Sequence, residues 1–155
     1  MTSADPTPVS EPTSKARLRL WLKLLKATRL VEADLRENLR TEFATTLPRF
    51  DVMAALSQYA DGLKMSQLSG LLRVSNGNVT GIVERLVEDG IALREAVPGD
   101  RRASRVRLTR KGAEEFARQA SEHEHWVDDL LGALGPEEAH SMTEQLDRIL
   151  KEGAQ

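Results

Sequence analysis

The sequence predicts a mainly α-helical protein that carries one small β-ribbon. Apolar residues recur at helical spacing over most of the chain, and the period shortens to about two between residues 91 and 108. A composition of 40% hydrophobic and 30% charged residues is typical of a soluble globular protein, and 155 residues are enough for one domain. Because the chain has no cysteine, disulfides, thiolate nucleophiles and thiolate metal ligands are excluded.

The first part of the chain is predicted to be a polar tail followed by a long helix. Residues 1–14 contain three prolines and six serines or threonines, a composition typical of a disordered segment. From Lys15 to about Phe43 the apolar residues keep helical spacing, with lysine and arginine between them. No apolar run approaches the length of a membrane span, and no signal-peptide pattern opens the chain. We therefore expect a cytoplasmic protein without a membrane partner.

Shorter elements are predicted in the middle of the chain. Pro48 suits the first turn of a second helix, which Asp61-Gly62 ends. A short third helix is predicted from Met65 to Leu72. Period-two patterning then predicts two strands, at residues 91–97 and 103–108.

The last part of the chain returns to helical spacing. A turn at Pro98–Arg102 joins the two predicted strands. Thr109 is a good N-cap for a long helix that continues to about Leu134. Gly135-Pro136 then ends this helix and begins a last one, which runs to about Lys151.

The segment between the third helix and the first strand carries two conflicting signals. Asn76-Gly77 between apolar residues predicts a tight hairpin turn. Four apolar residues nevertheless share one face of a helix: Val79, Ile82, Val83 and Leu86. We prefer the helix, because four matches outweigh one dipeptide, Ser75 is a ready N-cap and Gly90 is a suitable stop after Asp89.

The outward face of this predicted helix is polar and small. Gly77 and Gly81 each cost roughly 1 kcal/mol relative to alanine inside a helix, so the helix needs either tertiary support or a smooth face against a partner. Asn78 and Arg85 on that face suit base edges or phosphates. A short helix, a turn and such a second helix form a helix-turn-helix, whose second helix enters the major groove of DNA.

Charge is distributed unevenly along the chain. The net charge is +2 for residues 1–48, +4 for residues 49–111 and −8 for residues 112–155. The steepest local charge is +5, over residues 94–111, where seven basic residues accompany two acidic ones. This pattern favours a polyanionic partner for the middle of the chain, and an arginine-tipped ribbon can reach the minor groove of DNA.

Three stretches give the chain a resemblance to a known family. They are FDVMAAL at 50–56, LKMSQLSGLLRVSNGNVTGIVERLVEDG at 63–90 and GDRRASRVRLTRKG at 99–112. The chain resembles the MarR family of winged helix-turn-helix transcriptional regulators, over nearly all of residues 15–152. Two positions depart from the family pattern: Gly81 replaces a common arginine or lysine, and Lys64 replaces a common serine or threonine cap.

The resemblance implies a homodimer that binds double-stranded DNA at a pseudo-palindromic operator. It divides the chain into a tail (1–14), an N-terminal dimerisation helix (15–47), a winged helix-turn-helix region (48–111) and C-terminal dimerisation helices (112–155). It also implies repression that ends when a small effector, such as an aromatic carboxylate or its thioester, occupies a cleft between the dimerisation and DNA-binding parts.

The resemblance further implies which residues contact DNA. On the recognition helix, the residues implied to read or position the operator are Ser75, Asn76, Asn78 and Thr80. Arg101 and Arg102 would serve the minor groove, with Asp100 bracing one of them. Phosphate contacts are implied for Arg73 and Arg85. For Arg105, phosphate contact and simple solvation remain equally open.

Residue types bear on three further kinds of site: an effector site, a metal site and an enzyme site. Candidate effector-cleft residues are Arg19, Trp21, His123 and Trp126, against the alternative of ordinary packing. His123 and His125 point to different faces of a helix, so we expect no metal, and no cofactor. The sequence contains no catalytic motif, so we expect no enzyme. The alternative function is a helical dimer that binds protein and has weakened DNA binding, which Gly81 favours and the basic ribbon opposes.

Overall fold

Helices dominate the computed structural model, which describes residues 11–72 and 78–153. Those residues contain six helices and one small antiparallel sheet, and the mainly α prediction is confirmed. The elements in chain order are α1 (Thr13–Phe43), α2 (Leu47–Ser57), β1 (Leu63–Lys64), α3 (Met65–Leu72), α4 (Val79–Glu88), β2 (Ala92–Val97), β3 (Asp100–Leu108), α5 (Arg110–Leu130) and α6 (Pro136–Gly153).

Helix α1 begins two residues earlier than predicted, at Thr13, inside the segment expected to be a tail. The carbonyl of Pro12 accepts hydrogen bonds from the N–H groups of Lys15 and Ala16, which closes the first turn there. The rest of the predicted tail, residues 1–10, lies outside the described residues. The chain forms two compact units, 1–34 and 35–155, and each is described by itself.

An apolar core joins α2, α3, α4 and the sheet. Its buried members are Val52, Met53, Leu56, Leu63, Leu68, Val79, Val83, Leu86, Ile91, Ala92 and Val106. Three of the four residues that predicted a helix at α4 are in this set, and Ile82 packs against it, so the helical prediction is confirmed for Val79–Glu88. Residues 73–77, including the Asn-Gly dipeptide, lie outside the described residues.

Helix α2 starts as its sequence predicts. Thr46 is the N-cap, and its hydroxyl oxygen accepts a hydrogen bond from the N–H of Arg49 at 3.3 Å, with Pro48 in the first turn. The helix ends at Ser57, before Tyr59. It therefore ends before the predicted stop at Asp61-Gly62, and Tyr59 beyond it is exposed.

The sheet has the strand order β1-β3-β2, and all its pairs are antiparallel. We define the wing as β2, β3 and the two-residue turn between them. The predicted turn at Pro98–Arg102 is too long, because Asp100 already pairs with Val97 and begins β3. Gly99, with φ of +82°, makes the tight connection. Strand β1 was not predicted, since two residues give no periodic signal.

Helix α4 ends in a hydrogen-bonded glycine cap. Gly90 has φ of +73°, and the N–H of Ile91 donates to the carbonyl of Leu86 at 2.8 Å, the bond of a Schellman motif. The ammonium group of Lys111 donates to the carbonyl of Asp89 at 3.0 Å, so a cation satisfies another terminal carbonyl. The predicted stop at Gly90 is confirmed.

Thr109 ties this cap to the start of α5. Its hydroxyl donates to the carbonyl of Gly90 at 2.6 Å, and its oxygen accepts from the N–H of Gly112 at 3.0 Å. The N–H of Thr109 donates to the carbonyl of Ile91 at 2.9 Å. We call Gly90, Ile91, Thr109 and Gly112 the junction. It joins the end of α4, the beginning and end of the wing, and the first turn of α5.

Helix α5 ends at Leu130, four residues before the predicted end, and a turn separates it from α6. Helix α6 has no buried side chain. Its exposed large apolar residues lie at helical spacing on one side: Met142, Leu146, Ile149 and Leu150. Among the helices described, none is long and apolar enough to cross a membrane.

Candidate nucleic-acid interface

The outward face of α4 is small and polar. Asn78 occupies the N-cap position, but its side chain makes no capping hydrogen bond. Thr80, Gly81 and Arg85 are exposed on the helix. A Cβ atom added at Gly81 would meet nothing within 4 Å, so this face is open to a partner. The other predicted residues of this site, Arg73, Ser75 and Asn76, lie outside the described residues.

The tip of the wing presents two arginines. Arg101 and Arg102 are exposed, and neither guanidinium has an ion-pair partner in the part of the chain that is described. A carboxylate oxygen of Asp100 accepts a hydrogen bond from the main-chain N–H of Arg102 at 3.0 Å. Asp100 therefore fixes the backbone at the start of β3, and its bracing of an arginine guanidinium stays a prediction.

The two faces of the wing carry different polar pairs. On the face that continues from the core, Arg94 Nε donates to the hydroxyl oxygen of Ser104 at 3.0 Å. On the opposite face, Arg107 forms an ion pair with Glu95 at 2.9 Å. Arg105 is partly buried, and its Nε makes no hydrogen bond with any described residue. The sequence analysis did not select Arg94, although strand alternation from the buried Ala92 could have placed it on the core face.

A cavity of about 310 Å³ lies behind α4, against the N-terminus of α2 and one side of α5. Its polar lining residues are Thr45, Thr46, Arg49, Arg85, Asp89 and Glu115. Arg49 and Asp89 form an ion pair at 2.8 Å, which links α2 to the C-terminal cap of α4. The hydroxyl oxygen of Thr45 is buried and makes no hydrogen bond with the described residues, so a ligand could satisfy it.

The four predicted effector residues fall in different units. Arg19, which pairs with Glu11, and the exposed Trp21 belong to the unit 1–34. The other two belong to the unit 35–155 and pack against aromatic rings. His123 stacks on Phe50 with centroids 4.5 Å apart, and Trp126 lies 6.1 Å from Phe43. For these two residues the ordinary packing alternative describes the contacts seen.

Burial lowers the pKa of His123 below its ordinary value of 6.5. The unfolded chain therefore binds this proton more readily than the folded chain does. We expect the free energy of unfolding to fall as the pH drops below about 6.5, and His123 to contribute no slope above it. Denaturant titrations between about pH 7.5 and pH 5.5 measure this slope.

The control for this prediction is another histidine on the same helix. His123→Gln should flatten the slope between those pH values, whereas His125→Gln, at an exposed position, should leave it as in the wild type. An unchanged slope in His123→Gln would show that other groups cause the pH dependence.

Comparisons with known proteins agree with the helix-turn-helix and wing geometry. Residues 45–104 match the profile of the MarR family. A MarR family transcriptional regulator from Silicibacter pomeroyi is 33% identical, with 92% of this chain and 99% of that chain covered and a TM-score of 0.75. Sco3205 from Streptomyces coelicolor, a MarR family regulator solved in complex with DNA, is 26% identical, with 97% and 94% covered and a TM-score of 0.78. The HTH-type transcriptional regulator MhqR of Bacillus subtilis (strain 168) is 24% identical over 132 residues, 85% of this chain and 90% of that protein.

Proposed function

The chain belongs to the MarR family of transcriptional regulators, and from this premise we propose that it is a repressor that binds a pseudo-palindromic DNA operator as a homodimer. The observation that carries the proposal is that one unit holds both the open polar face of α4 and a wing tip whose two arginines, Arg101 and Arg102, have no ion-pair partner among the described residues. Helix α4 packs against β2, so the fold fixes the helix and the wing in one orientation. A protein of similar structure has been solved with DNA, which supports the same mode of binding here.

We assign the DNA contacts as the sequence predicted them. Asn78 and Thr80 on α4 face base edges in the major groove, together with Ser75 and Asn76. Arg101 and Arg102 enter the adjacent minor groove, whose negative potential attracts arginine. Phosphate contacts are proposed for Arg73, Arg85 and Arg105. A cytoplasmic location is part of the same proposal, since the proposed DNA partner lies there.

Two exposed apolar helix faces support the homodimer. In the unit 1–34, Leu18, Trp21 and Leu22 on α1 are more than half exposed. In the unit 35–155, the stripe on α6 is exposed as well. Apolar faces of this kind mark interaction surfaces. We therefore propose that residues 15–47 and 112–155 dimerise and that residues 48–111 bind DNA, with half-site centres about 34–36 Å apart.

Effector release is proposed to act through the cavity behind α4. Its volume of about 310 Å³ suits a small molecule, and Arg49 and Arg85 suit a carboxylate. A carboxylate that binds Arg49 competes with Asp89 for the ion pair that holds the end of α4. This breaks the link between α2 and the end of α4, so α4 and the wing move together relative to α2 and the two states differ in DNA affinity. An aromatic carboxylate is the effector class we propose for this cavity, because its thioester lacks the charge that this competition requires.

The test of the proposed function is fluorescence anisotropy with labelled duplexes from beside the protein's own gene, repeated over a salt series. We expect tight, salt-sensitive binding to one palindrome with two subunits per site, followed by release when aromatic carboxylates are added at constant ionic strength. No binding to any fragment at low salt would contradict the proposal and favour a protein-binding dimer. Binding without release would contradict only the effector part.

Two substitutions separate the roles of the wing and the helix. Arg102→Ala should weaken binding to all duplexes and lower the dependence of affinity on salt. The reason is that it removes a guanidinium that lies near DNA phosphates whatever the base sequence. Asn78→Ala should instead reduce discrimination between the operator and single-base variants, by about 1–3 kcal/mol at one position. The measurement is anisotropy on a set of such variants. Equal effects of both substitutions on every duplex would contradict the assignment.

A further inference from the structure

A second cavity lies between the wing and the start of α3. Its volume is about 290 Å³, and its polar lining residues are Lys64, Ser66, Arg94, Asp100, Arg102 and Ser104. Three of these are cations and one is a carboxylate, so the lining carries a net charge of +2. Neither the family resemblance nor the comparisons assign a role to Lys64 or Arg94.

Local hydrogen bonds order the polar groups of this cavity. The side-chain oxygen of Gln67 accepts from the main-chain N–H of Lys64 at 3.0 Å, which is the reciprocal half of a capping box. This bond fixes the backbone at a position that lacks a serine or threonine cap, and the ammonium group of Lys64 is not used by it. Arg94 uses one of its five N–H donors for the hydrogen bond to the hydroxyl oxygen of Ser104, and this bond orients the guanidinium.

The single carboxylate of the cavity is already engaged. Asp100 accepts the main-chain N–H of Arg102 at 3.0 Å and forms no ion pair with Lys64 or Arg94 within the described residues. Asp100 keeps its negative charge, so it offsets one of the three positive charges and the cavity retains a net charge of +2. A concave site with unpaired ammonium and guanidinium groups and two hydroxyl groups is suited to a phosphate group.

We propose that this cavity, the wing-root seat, holds one phosphodiester of the DNA backbone through Lys64 and Arg94. The inference rests on the proposed function. Because Arg102 lines the seat and also lies at the wing tip, a phosphate held there fixes how deeply the tip enters the minor groove. The seat also supplies a contact to the DNA backbone, in place of the arginine or lysine that is common in the family at the position of Gly81. Each subunit holds one phosphate, so a dimer holds two.

The first test compares the salt dependence of binding for two matched double variants. Lys64→Gln with Arg94→Gln removes two positive charges from the seat. Arg107→Gln with Arg110→Gln removes two from the far face of the wing and the start of α5, where both arginines pair with glutamates. Because each phosphate contact contributes about 0.9 to the slope of log K against log salt, the seat variant should lose about 1.8 per dimer. The control should keep the wild-type slope.

The second test places the contact on the DNA. A duplex is prepared in which single phosphates are replaced, one at a time, by neutral methylphosphonates. Wild-type protein should lose affinity at one phosphate in each half-site, and the seat variant should be insensitive at that phosphate alone. Circular dichroism and thermal melting of each variant confirm that it is folded before its slope is compared.

The possible outcomes separate this inference from the proposed function. Wild-type protein that binds no duplex would overturn both. Wild-type protein that binds while the seat variant keeps the full slope, or while the control loses as much, would overturn the seat and leave the regulator intact. A lowered slope that is confined to the seat variant, with a matching insensitive phosphate, supports the seat.

Discussion

Replacing Gly112 with alanine is expected to destabilise the protein strongly. Gly112 lies in the first turn of α5, where an added Cβ would come within 2.0 Å of the carbonyl oxygen of Ile91. That oxygen also accepts the N–H of Thr109, so relief requires movement of the main chain at the junction. We expect a loss of about 3 kcal/mol, at the upper end of overpacking costs. Thermal melting at fixed protein concentration should show a decrease on the order of 10 °C.

The matched control is Gly81→Ala, at the same position in the first turn of α4. No atom lies within 4 Å of the added Cβ there, so only the helix propensity of alanine changes. We expect stabilisation of up to about 1 kcal/mol. If both substitutions change the melting temperature in the same direction by similar amounts, the close approach at Gly112 does not control stability.

Introducing a charge into the apolar stripe of α6 is expected to abolish operator binding without unfolding the unit 35–155. Leu146 lies in the middle of this stripe and is exposed in the single chain. Under the proposed homodimer, Leu146→Glu places a carboxylate in the interface, where an unpaired charge is costly. A monomer contacts one half-site only, so operator affinity should fall by about 100-fold or more. Sedimentation equilibrium and anisotropy measure the two effects.

The control for this prediction is Ser141→Glu, which adds the same charge to the polar side of α6. It should leave both the dimer and the operator affinity unchanged. Because α6 buries no side chain within the chain, circular dichroism of both variants should match the wild type. A Leu146→Glu protein that remains dimeric would exclude this stripe as the interface.

The helices could be predicted from sequence because their signals are local and repeated. Four apolar residues in α4, the proline in the first turn of α2 and Gly90 after α4 each act within one or two turns. The failures lie where a long-range contact decides. Strand β1 exists because Leu63 pairs with Val106, and Asp100 joins β3 because it pairs with Val97. Pairing partners far along the chain leave no periodic signal in a segment of two or three residues.

The site shows the same division. The exposed face of α4 and the arginine tip follow from residue type and spacing, so the sequence alone indicated them. Cavities depend on which elements meet in the fold. Residue spacing and charge therefore do not predict that Lys64 and Arg94 line one cavity, or that Arg49 pairs with Asp89. The candidate effector residues were chosen by residue type alone, and the contacts of His123 and Trp126 are with the rings of Phe50 and Phe43.

The junction has a mechanical consequence for regulation. Its hydrogen bonds connect α4 and both ends of the wing to the first turn of α5, so they fix the orientation of these parts relative to one another. In the proposed dimer, α5 also leads into the interface helices. A change in the angle between the two subunits of this dimer then moves α4 and the wing of each subunit together. It alters the distance between the two α4 helices. Under the proposed function, the operator is then lost because the two half-sites no longer match this distance, while the side chains proposed to contact DNA keep their places.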